Sequence, residues 1–330
     1  MFDRRSWATA VAVAALTATP APAYADSLND ALASAYSDNA DFNAARAQLR
    51  GIDENVPQAM SGYRPTVSAD ADVAANRTRL PGIPEGTNFY PRGAALVVEM
   101  PLFLGFRTTN SVAQAKNSVR AARAQLRNVE QQTLLNAVRA FMDVVQAQVV
   151  LNLRAQNVEF LREQVRAATD RLNVGEGTRT DVAQTNARLQ AGLSDYSAAA
   201  AAVTSALAVY EQVIGHKPRS LGAADHVERY LAKSQQAAID QGLHNHPTIV
   251  AAQFNIDVAS YNVKVLEGAK LPSVSLQGKL QHRDETQISG GWADTAQLLA
   301  QASVPIYGGG RDDSQIRQAK IGRASCRERV

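Results

Sequence analysis

The sequence predicts a mainly α-helical chain that also carries four β-strands of the membrane-barrel type. Three observations predict this class. A unit of helix, proline, strand, loop, strand, proline and long helix occurs twice, its copies about two hundred residues apart. Stretches beside the prolines alternate apolar and polar residues with a period of two. Between Thr108 and Val174 there is neither proline nor glycine, and apolar residues recur at three- and four-residue spacing. The composition agrees: 45% hydrophobic, 20% charged and only 6% aromatic residues suit long packed helices better than an aromatic-rich sandwich.

Residues 1–25 read as an export leader. Arg4 and Arg5 form a positive start, an apolar stretch runs from Trp7 to Thr19, and Ala23-Tyr24-Ala25 fits small-x-small cleavage. The mature chain is expected to begin at Asp26. The stretch is short for a membrane anchor, and Pro20 and Pro22 follow it. No later stretch reads as the roughly 18 apolar residues of a spanning helix. A membrane role therefore has to rest on strands.

Residues 26–65 are expected to be helical, closing at Tyr63-Arg64-Pro65, and residues 66–103 to form a first hairpin. After Pro65, Val67, Ala69, Ala71 and Val73 point one way and Ser68, Asp70 and Asp72 the other. Residues 94–103 alternate least clearly, with Leu96, Val98 and Met100 opposite Val97 and Glu99. A long helical hairpin is predicted over 104–214. Its seam holds Val112, Ala115, Val119, Ala122, Leu126 and Val129, then Leu161, Val165, Ala168 and Leu172. The unbroken helix would be about 100 Å long at its rise per residue. Gly175 and Gly177 allow a tight tip at 173–181, and Asp181 with Gln184 offers a capping box for the returning helix, which carries Leu189, Leu193 and Tyr196. That helix runs through Ile214 to a stop at Gly215-His216-Lys217-Pro218, and 215–238 form a connector.

The second copy follows. A helix is predicted within 239–271, strongest over 245–270, where Ala252, Ile256, Ala259, Val263 and Leu266 keep helical spacing. Residues 272–304 form the second hairpin. Val274, Leu276 and Leu280 oppose Ser273, Ser275, Gln277, Lys279 and Gln281; Leu298, Ala300, Ala302 and Val304 oppose Gln297, Gln301 and Ser303. Residues 305–320 begin a second long helix. The copies align at Asn39-Ala40-Asp41 with Asn245-His246-Pro247, at Pro65 with Pro272, and without a gap from Met100-Pro101 with Val304-Pro305 onward. Pro65, Pro101, Gly105, Pro272, Pro305 and Gly308 mark the strand–helix joints. One apolar and one polar face per strand fits a barrel wall with lipid outside and water inside, although the period alone fits a half-buried soluble sheet equally. Loops 78–91 and 283–291 are rich in Gly, Pro and polar residues, and Phe89, Tyr90 and Trp292 sit where an aromatic girdle would lie.

Residues 321–330 break the pattern and resemble the translation of a sequencing adapter. Cys326, the only cysteine, is then not native, and the protein is expected to continue beyond Lys320. The net charge of +3 divides into +2 in this tail, +1 in the leader and none between them, so the basic pI gives no support for nucleic-acid binding.

Other chemistry fits poorly. Gly308–Gly310 lies between strand and helix but lacks the Lys-Ser/Thr ending of a phosphate loop. His244-x-His246 has no nearby third ligand and reads as a helix start. Asp70 and Asp72, two apart on a strand, read as a lining rather than an acid–base pair. Asp312 and Asp313, at the positions of Thr108 and Thr109, read as favourable charges at a helix N-terminus. No nucleophile motif is found, and neither an enzyme nor a cofactor is expected.

The duplicated joint, Pro305-Ile306-Tyr307-Gly308-Gly309-Gly310-Arg311 followed by Gln318-Ala319, and the tip, Arg171-x-Asn173-Val174-Gly175 with Thr180-Asp181-Val182, resemble the TolC family of outer-membrane efflux and secretion channels. The resemblance covers nearly all of 27–320. It implies a homotrimer in which each protomer gives four strands to a twelve-stranded barrel in the outer-membrane lipid bilayer. It also implies antiparallel coiled-coil helices in the periplasm, and tips that meet a periplasmic adaptor of an RND or ABC inner-membrane pump. Val174, Gly175, Thr180 and Asp181 become adaptor-contact candidates, and Ser68, Asp70, Asp72, Ser275, Gln277, Lys279, Gln297 and Gln301 lumen-facing candidates. The resemblance places much of the gate in a second long hairpin beyond Lys320, so a chain ending there is not expected to form a working channel. A periplasmic adaptor and a structural coiled-coil envelope protein are the rival readings; the duplicated joint argues against the adaptor.

Overall fold

The computed structural model describes residues 27–78, 87–218, 221–222, 231–285 and 291–328. The expected leader lies outside the described residues, as do parts of both hairpin loops and part of the connector. Among the described residues the elements run α1 (Leu28–Asp38), α2 (Ala40–Asp53), α3 (Asn55–Ser61), β1 (Thr66–Val73), β2 (Asn76–Thr78), β3 (Thr87–Phe89), β4 (Arg92–Leu104), α4 (Arg107–Asn173), α5 (Arg179–Ile214), α6 (Gln235–Asn245), α7 (Pro247–Gly268), β5 (Ser273–Asp284), β6 (Trp292–Ser303) and α8 (Arg311–Arg327). They divide into two compact units, one built from α1, the later part of α4 and α5, the other from the remaining elements and the start of α4.

The first unit packs small residues of α1 against large ones of the long hairpin. Ala31 and Ala35 meet Ala137, Phe141 and Val144 of α4 and Tyr210 and Ile214 of α5, all buried. Full burial of Phe141 or Ile214 contributes about 1.5–3 kcal/mol each. Ser27 and Asp30 form a reciprocal capping box that starts α1, and Gly215, at φ +97°, ends α5.

The second unit holds a four-stranded antiparallel sheet in the order β1-β4-β5-β6, with β2 and β3 as a separate two-stranded ladder. Both hairpins have the same register. Counted from Pro65/Pro272 and from Pro101/Pro305, Thr66 corresponds to Ser273 and Glu99 to Ser303; Thr66 faces Glu99 and Ser273 faces Ser303.

Several elements differ from the sequence expectation. The helix expected over 26–65 is three helices, and the one expected over 239–271 is two. Besides the break at Glu54 between α2 and α3, the breaks fall at Asn39 (φ −61°, ψ 123°) and His246 (φ −66°, ψ 123°), so Asn39 corresponds to His246 and not to Asn245. Pro247 forces the second break, because a residue before proline avoids the helical region. His246 then caps α7, its Nδ1 lying 3.3 Å from the Thr248 N–H. The final helix begins at Arg311 rather than near Pro305, and continues past Lys320 to Arg327.

α4 and α5 each contain an 18-residue window with a mean hydropathy of 1.3, long and apolar enough by composition alone to cross a membrane, although neither is an unbroken apolar run. Alanine and valine are spread round these helices, so no consecutive apolar run announces the windows. The windows are only 22% and 17% buried. On α4, Leu135, Met142, Val149, Leu153 and Phe160 form an exposed stripe at heptad-like spacing.

Candidate functional site

Directly opposite residues in an antiparallel pair share a face. The register therefore lays out both faces of the sheet. Ser68, Val97, Lys279 and Gln297 form one row; Asp70, Ala95, Gln281 and Thr295 the next; Thr66, Glu99, Gln277 and Leu299 another. Ser275 and Gln301 face each other on the same side. All eight residues singled out from the sequence as lumen-facing thus lie on one face, interrupted by Val97 and Leu299. The opposite face carries Val67, Val98, Gly278 and Leu298 in one row and Ala69, Leu96, Leu280 and Ala296 in the next. Leu280 and Leu298 are 58% and 76% exposed, a large apolar area without cover in one chain.

Away from the helices, the apolar face gives way to charge. Arg92 Nε lies 3.2 Å from Asp284, His282 Nδ1 lies 2.5 Å from Asp294, and Trp292 stacks on His282 at 6.4 Å between centroids. On the polar face, Arg283 Nη2 donates to both carboxylate oxygens of Asp72, at 2.7 and 2.8 Å. Gly93 stands between them in register, and a Cβ there would lie 2.8 Å from the His282 carbonyl oxygen. The guanidinium crosses a whole strand because that strand has no side chain at this row.

The joints turn the chain from strand to helix through two consecutive left-handed residues, Gly105 and Phe106 at φ +61° and +60°, and Gly309 and Gly310 at +64° and +80°. Gly308 precedes the second turn. Pro101 lies within β4 opposite Ser275, where the ladder shifts register before Phe103, as a residue without an N–H requires. Pro65 and Pro272 precede β1 and β5, and Pro305 follows β6. At Gly105 a Cβ would lie 2.4 Å from the Gly268 carbonyl oxygen, and at Gly268 one would lie 2.4 Å from that of Gly105. Phe106 tolerates its backbone at a cost of roughly 1–2 kcal/mol, with its ring edge-on to Phe103 at 5.1 Å. Beside each joint sits a cross-link between the incoming helix end and the new helix: Tyr63 Oη donates to Thr109 Oγ1 at 2.8 Å, and Lys270 pairs with Asp313. The Lys270 hydrogen bond, aided by its charge, holds the Asp313 carboxyl below the usual carboxylate range.

At the far end of the long hairpin, Glu176 N–H donates to the Arg171 carbonyl and Gly175 N–H to that of Leu172, with Gly175 at φ +82°. This is a Schellman stop. The capping box that starts α5 is Thr178 with Asp181, not Asp181 with Gln184: Thr178 Oγ1 accepts from the Asp181 N–H at 3.2 Å, and the Asp181 carboxylate accepts from the Thr178 N–H at 3.0 Å. Thr178 Oγ1 also donates to the Asp181 carboxylate at 2.8 Å, and this bond, with that from the Thr178 N–H, holds the Asp181 carboxyl below its ordinary range. Val174, Gly175, Thr180 and Asp181 are all exposed.

Sequence reasoning did not single out Gly93, Gly268, Thr178 or the Lys270–Asp313 pair. Setting Tyr63 against Lys270 and Thr109 against Asp313 in the two copies would have found the pair; nothing local marks Gly93 or Gly268 as points of close approach.

The family model described as "Outer membrane efflux protein" matches residues 31–216 and 238–329. The chain belongs to the outer membrane efflux protein family. Within this family it is 40% identical over 317 residues to the outer membrane efflux protein BepC of Brucella suis, covering 95% of this chain and 68% of BepC. It is 25% identical over 227 residues to the outer membrane protein TolC of Vibrio cholerae, covering 64% of this chain and 50% of TolC. The chain therefore spans about two thirds of one relative and half of the other. The crystal structure of the Campylobacter jejuni CmeC outer membrane channel superposes with a TM-score of 0.77 at 19% identity, covering 91% of this chain and 66% of CmeC, and shares its fold. The efflux-protein fold of helices and strands read from the sequence is thus the fold of the molecule, and its setting is the outer membrane.

Proposed function

We propose that this chain is one protomer of a homotrimeric outer-membrane export channel, passive in itself and driven by an inner-membrane pump through a periplasmic adaptor. The observation that carries this reading is the sheet with two chemistries: a face that is mainly polar on β1, β5 and β6 and carries Glu99 among the small and apolar residues of β4, backed by an exposed apolar face. In a closed barrel the first lines a water-filled passage and the second meets lipid. Ser68, Asp70, Asp72, Ser275, Gln277, Lys279, Gln297 and Gln301 line that passage, which suits polar cargo. Small molecules and secreted proteins are both within this reading; family membership and the name of BepC favour efflux.

The exposed stripe on α4 supports a wall of further helices around the periplasmic passage. The exposed tip, with Val174, Gly175, Thr180 and Asp181, is the surface offered to the adaptor. The full gene product, purified and placed in planar lipid bilayers, should give stepwise ion conductance, and Lys279→Glu should shift its selectivity towards cations. A stable trimer without conductance in every bilayer condition would overturn the reading.

A further inference from the structure

The face of the sheet opposite the polar one changes chemistry along its length. Four successive rows, from Phe103, Val274 and Ala302 to Leu96, Leu280 and Ala296, carry no charge. The next row holds His282 and Asp294, and the last holds Arg92, Asp284 and Trp292. From Val274 to His282 the strand rises about 27 Å, or about 21 Å across a bilayer at a tilt of about 40°, close to the apolar band of about 25 Å on a barrel wall. The charged rows therefore fall at the outer edge of that band, on the side away from the helices. Charge on a lipid-facing wall is destabilising at the midplane and tolerated near the interface, where headgroups lie.

We propose that Arg92, His282, Asp284, Trp292 and Asp294 form a binding site for the phosphorylated sugar headgroup of a glycolipid in the outer leaflet. The proposal rests on the reading that this face meets lipid, and names the lipid it selects.

Each part of the cluster matches one part of such a headgroup. Arg92 Nε donates to Asp284 at 3.2 Å, and among the described residues its two Nη groups have no partner, with the side chain 64% exposed. A guanidinium oriented in this way and still holding two free Nη groups fits a pair of phosphate oxygens. Trp292 lays one ring face on His282, at 28° between planes, and is 66% exposed. Its outer face is a flat apolar plate beside polar groups, which suits the C–H face of a sugar ring. Asp294 holds His282 through Nδ1, and Asp284 lies 3.6 Å from His282 Nε2. Two carboxylates beside one arginine and one histidine leave no net positive charge, so a headgroup that offers only phosphate gains little here. A sugar adds hydroxyl donors, which carboxylates accept. The mixture of aromatic, cationic and anionic groups therefore favours a phosphorylated sugar over a simple anionic phospholipid.

The full gene product, purified in maltoside micelles, is titrated with three lipids, and the bound lipid is counted by native mass spectrometry. The lipids are lipid A with its phosphates, lipid A with the phosphates removed, and phosphatidylglycerol. The phosphorylated glycolipid should bind at least about tenfold tighter than either of the others. Arg92→Gln should abolish the advantage of the phosphates. Trp292→Leu should weaken both forms of lipid A by about tenfold and leave phosphatidylglycerol unchanged. Where Arg92→Gln does not assemble, Arg92→Lys decides: it keeps the charge without the fork and should lose most of the phosphate advantage, and wild-type affinity in it overturns the proposal. Equal affinity for the three lipids, the mark of a generic lipid-facing edge, also overturns it, as does wild-type affinity for lipid A in Arg92→Gln or Trp292→Leu. Bilayer conductance of the same wild-type preparation separates the two readings. Conductance without lipid selectivity overturns this site alone, and selectivity without conductance overturns the channel.

Discussion

Lys270 and Asp313 form an ion pair at the positions that Tyr63 and Thr109 fill with a hydroxyl–hydroxyl hydrogen bond in the first half of the chain. The duplication kept the cross-link at each joint and changed its chemistry. One consequence is a pH dependence confined to the second joint. The folded-state pKa of Asp313 is depressed, chiefly by the Lys270 hydrogen bond, so its stabilisation is present above the ordinary carboxylate range and is lost as pH falls through the depressed value. Asp313→Asn should remove the corresponding part of the acid-side fall in melting temperature. Lys270→Tyr with Asp313→Thr, which copies the first joint, should melt above either single change. Equal acid sensitivity in Asp313→Asn would contradict this.

Gly105 and Gly268 approach backbone to backbone, each barring a side chain on the other. Gly105→Ala and Gly268→Ala should each destabilise the protein by about 1–3 kcal/mol, the range for overpacking a close contact. Gly309→Ala, at positive φ but with open space around it, should cost less than either. Denaturant melts of the three variants measure the difference.

The Asp72–Arg283 bridge depends on the missing side chain at Gly93. Gly93→Val should push the guanidinium aside and clash with β5. The trimer should then dissociate at lower temperature on gels without prior boiling. Asp72→Asn should weaken the trimer less than Gly93→Val, because the amide keeps an acceptor for Arg283.

At the tip, Asp181 is held ionised by Thr178. Its contribution to the first turn of α5 is present above the ordinary carboxylate range and lost as pH falls through its depressed pKa. Thr178→Ala and Asp181→Asn should both raise amide hydrogen exchange at residues 179–182 without changing exchange in the sheet. If adaptor binding then falls in Asp181→Asn but not in Thr178→Ala, the carboxylate itself makes the contact.

Much of this molecule was legible in its sequence, for physical reasons that differ by element. The strands were legible because a wall between two solvents demands period two; Gln277-Gly278-Lys279-Leu280-Gln281 alternates in the sequence and in the sheet. The long helix was legible because 67 residues lack any breaker. The break at Asn39 was not, since a run of good helix formers conceals a single extended residue, whereas Pro247 marks the one at His246 as a helix start. The tip was found but its cap was misplaced, because Thr178 and Asp181 both suit an N-cap and only geometry chooses between them. Gly268 and Gly93 serve contacts between segments distant in the chain, and no local pattern records them.

The central claim is that one face of the β1-β4-β5-β6 sheet meets water and the other lipid. Gln297 and Leu298, neighbours on β6, test it most directly. Single cysteines at each position in the assembled protein in lipid vesicles, carrying a fluorescent label, should behave oppositely: the label at 297 quenched by a water-soluble agent, and the label at 298 by a lipid-confined one. Quenching of both labels from water, or of neither from lipid, would contradict the claim.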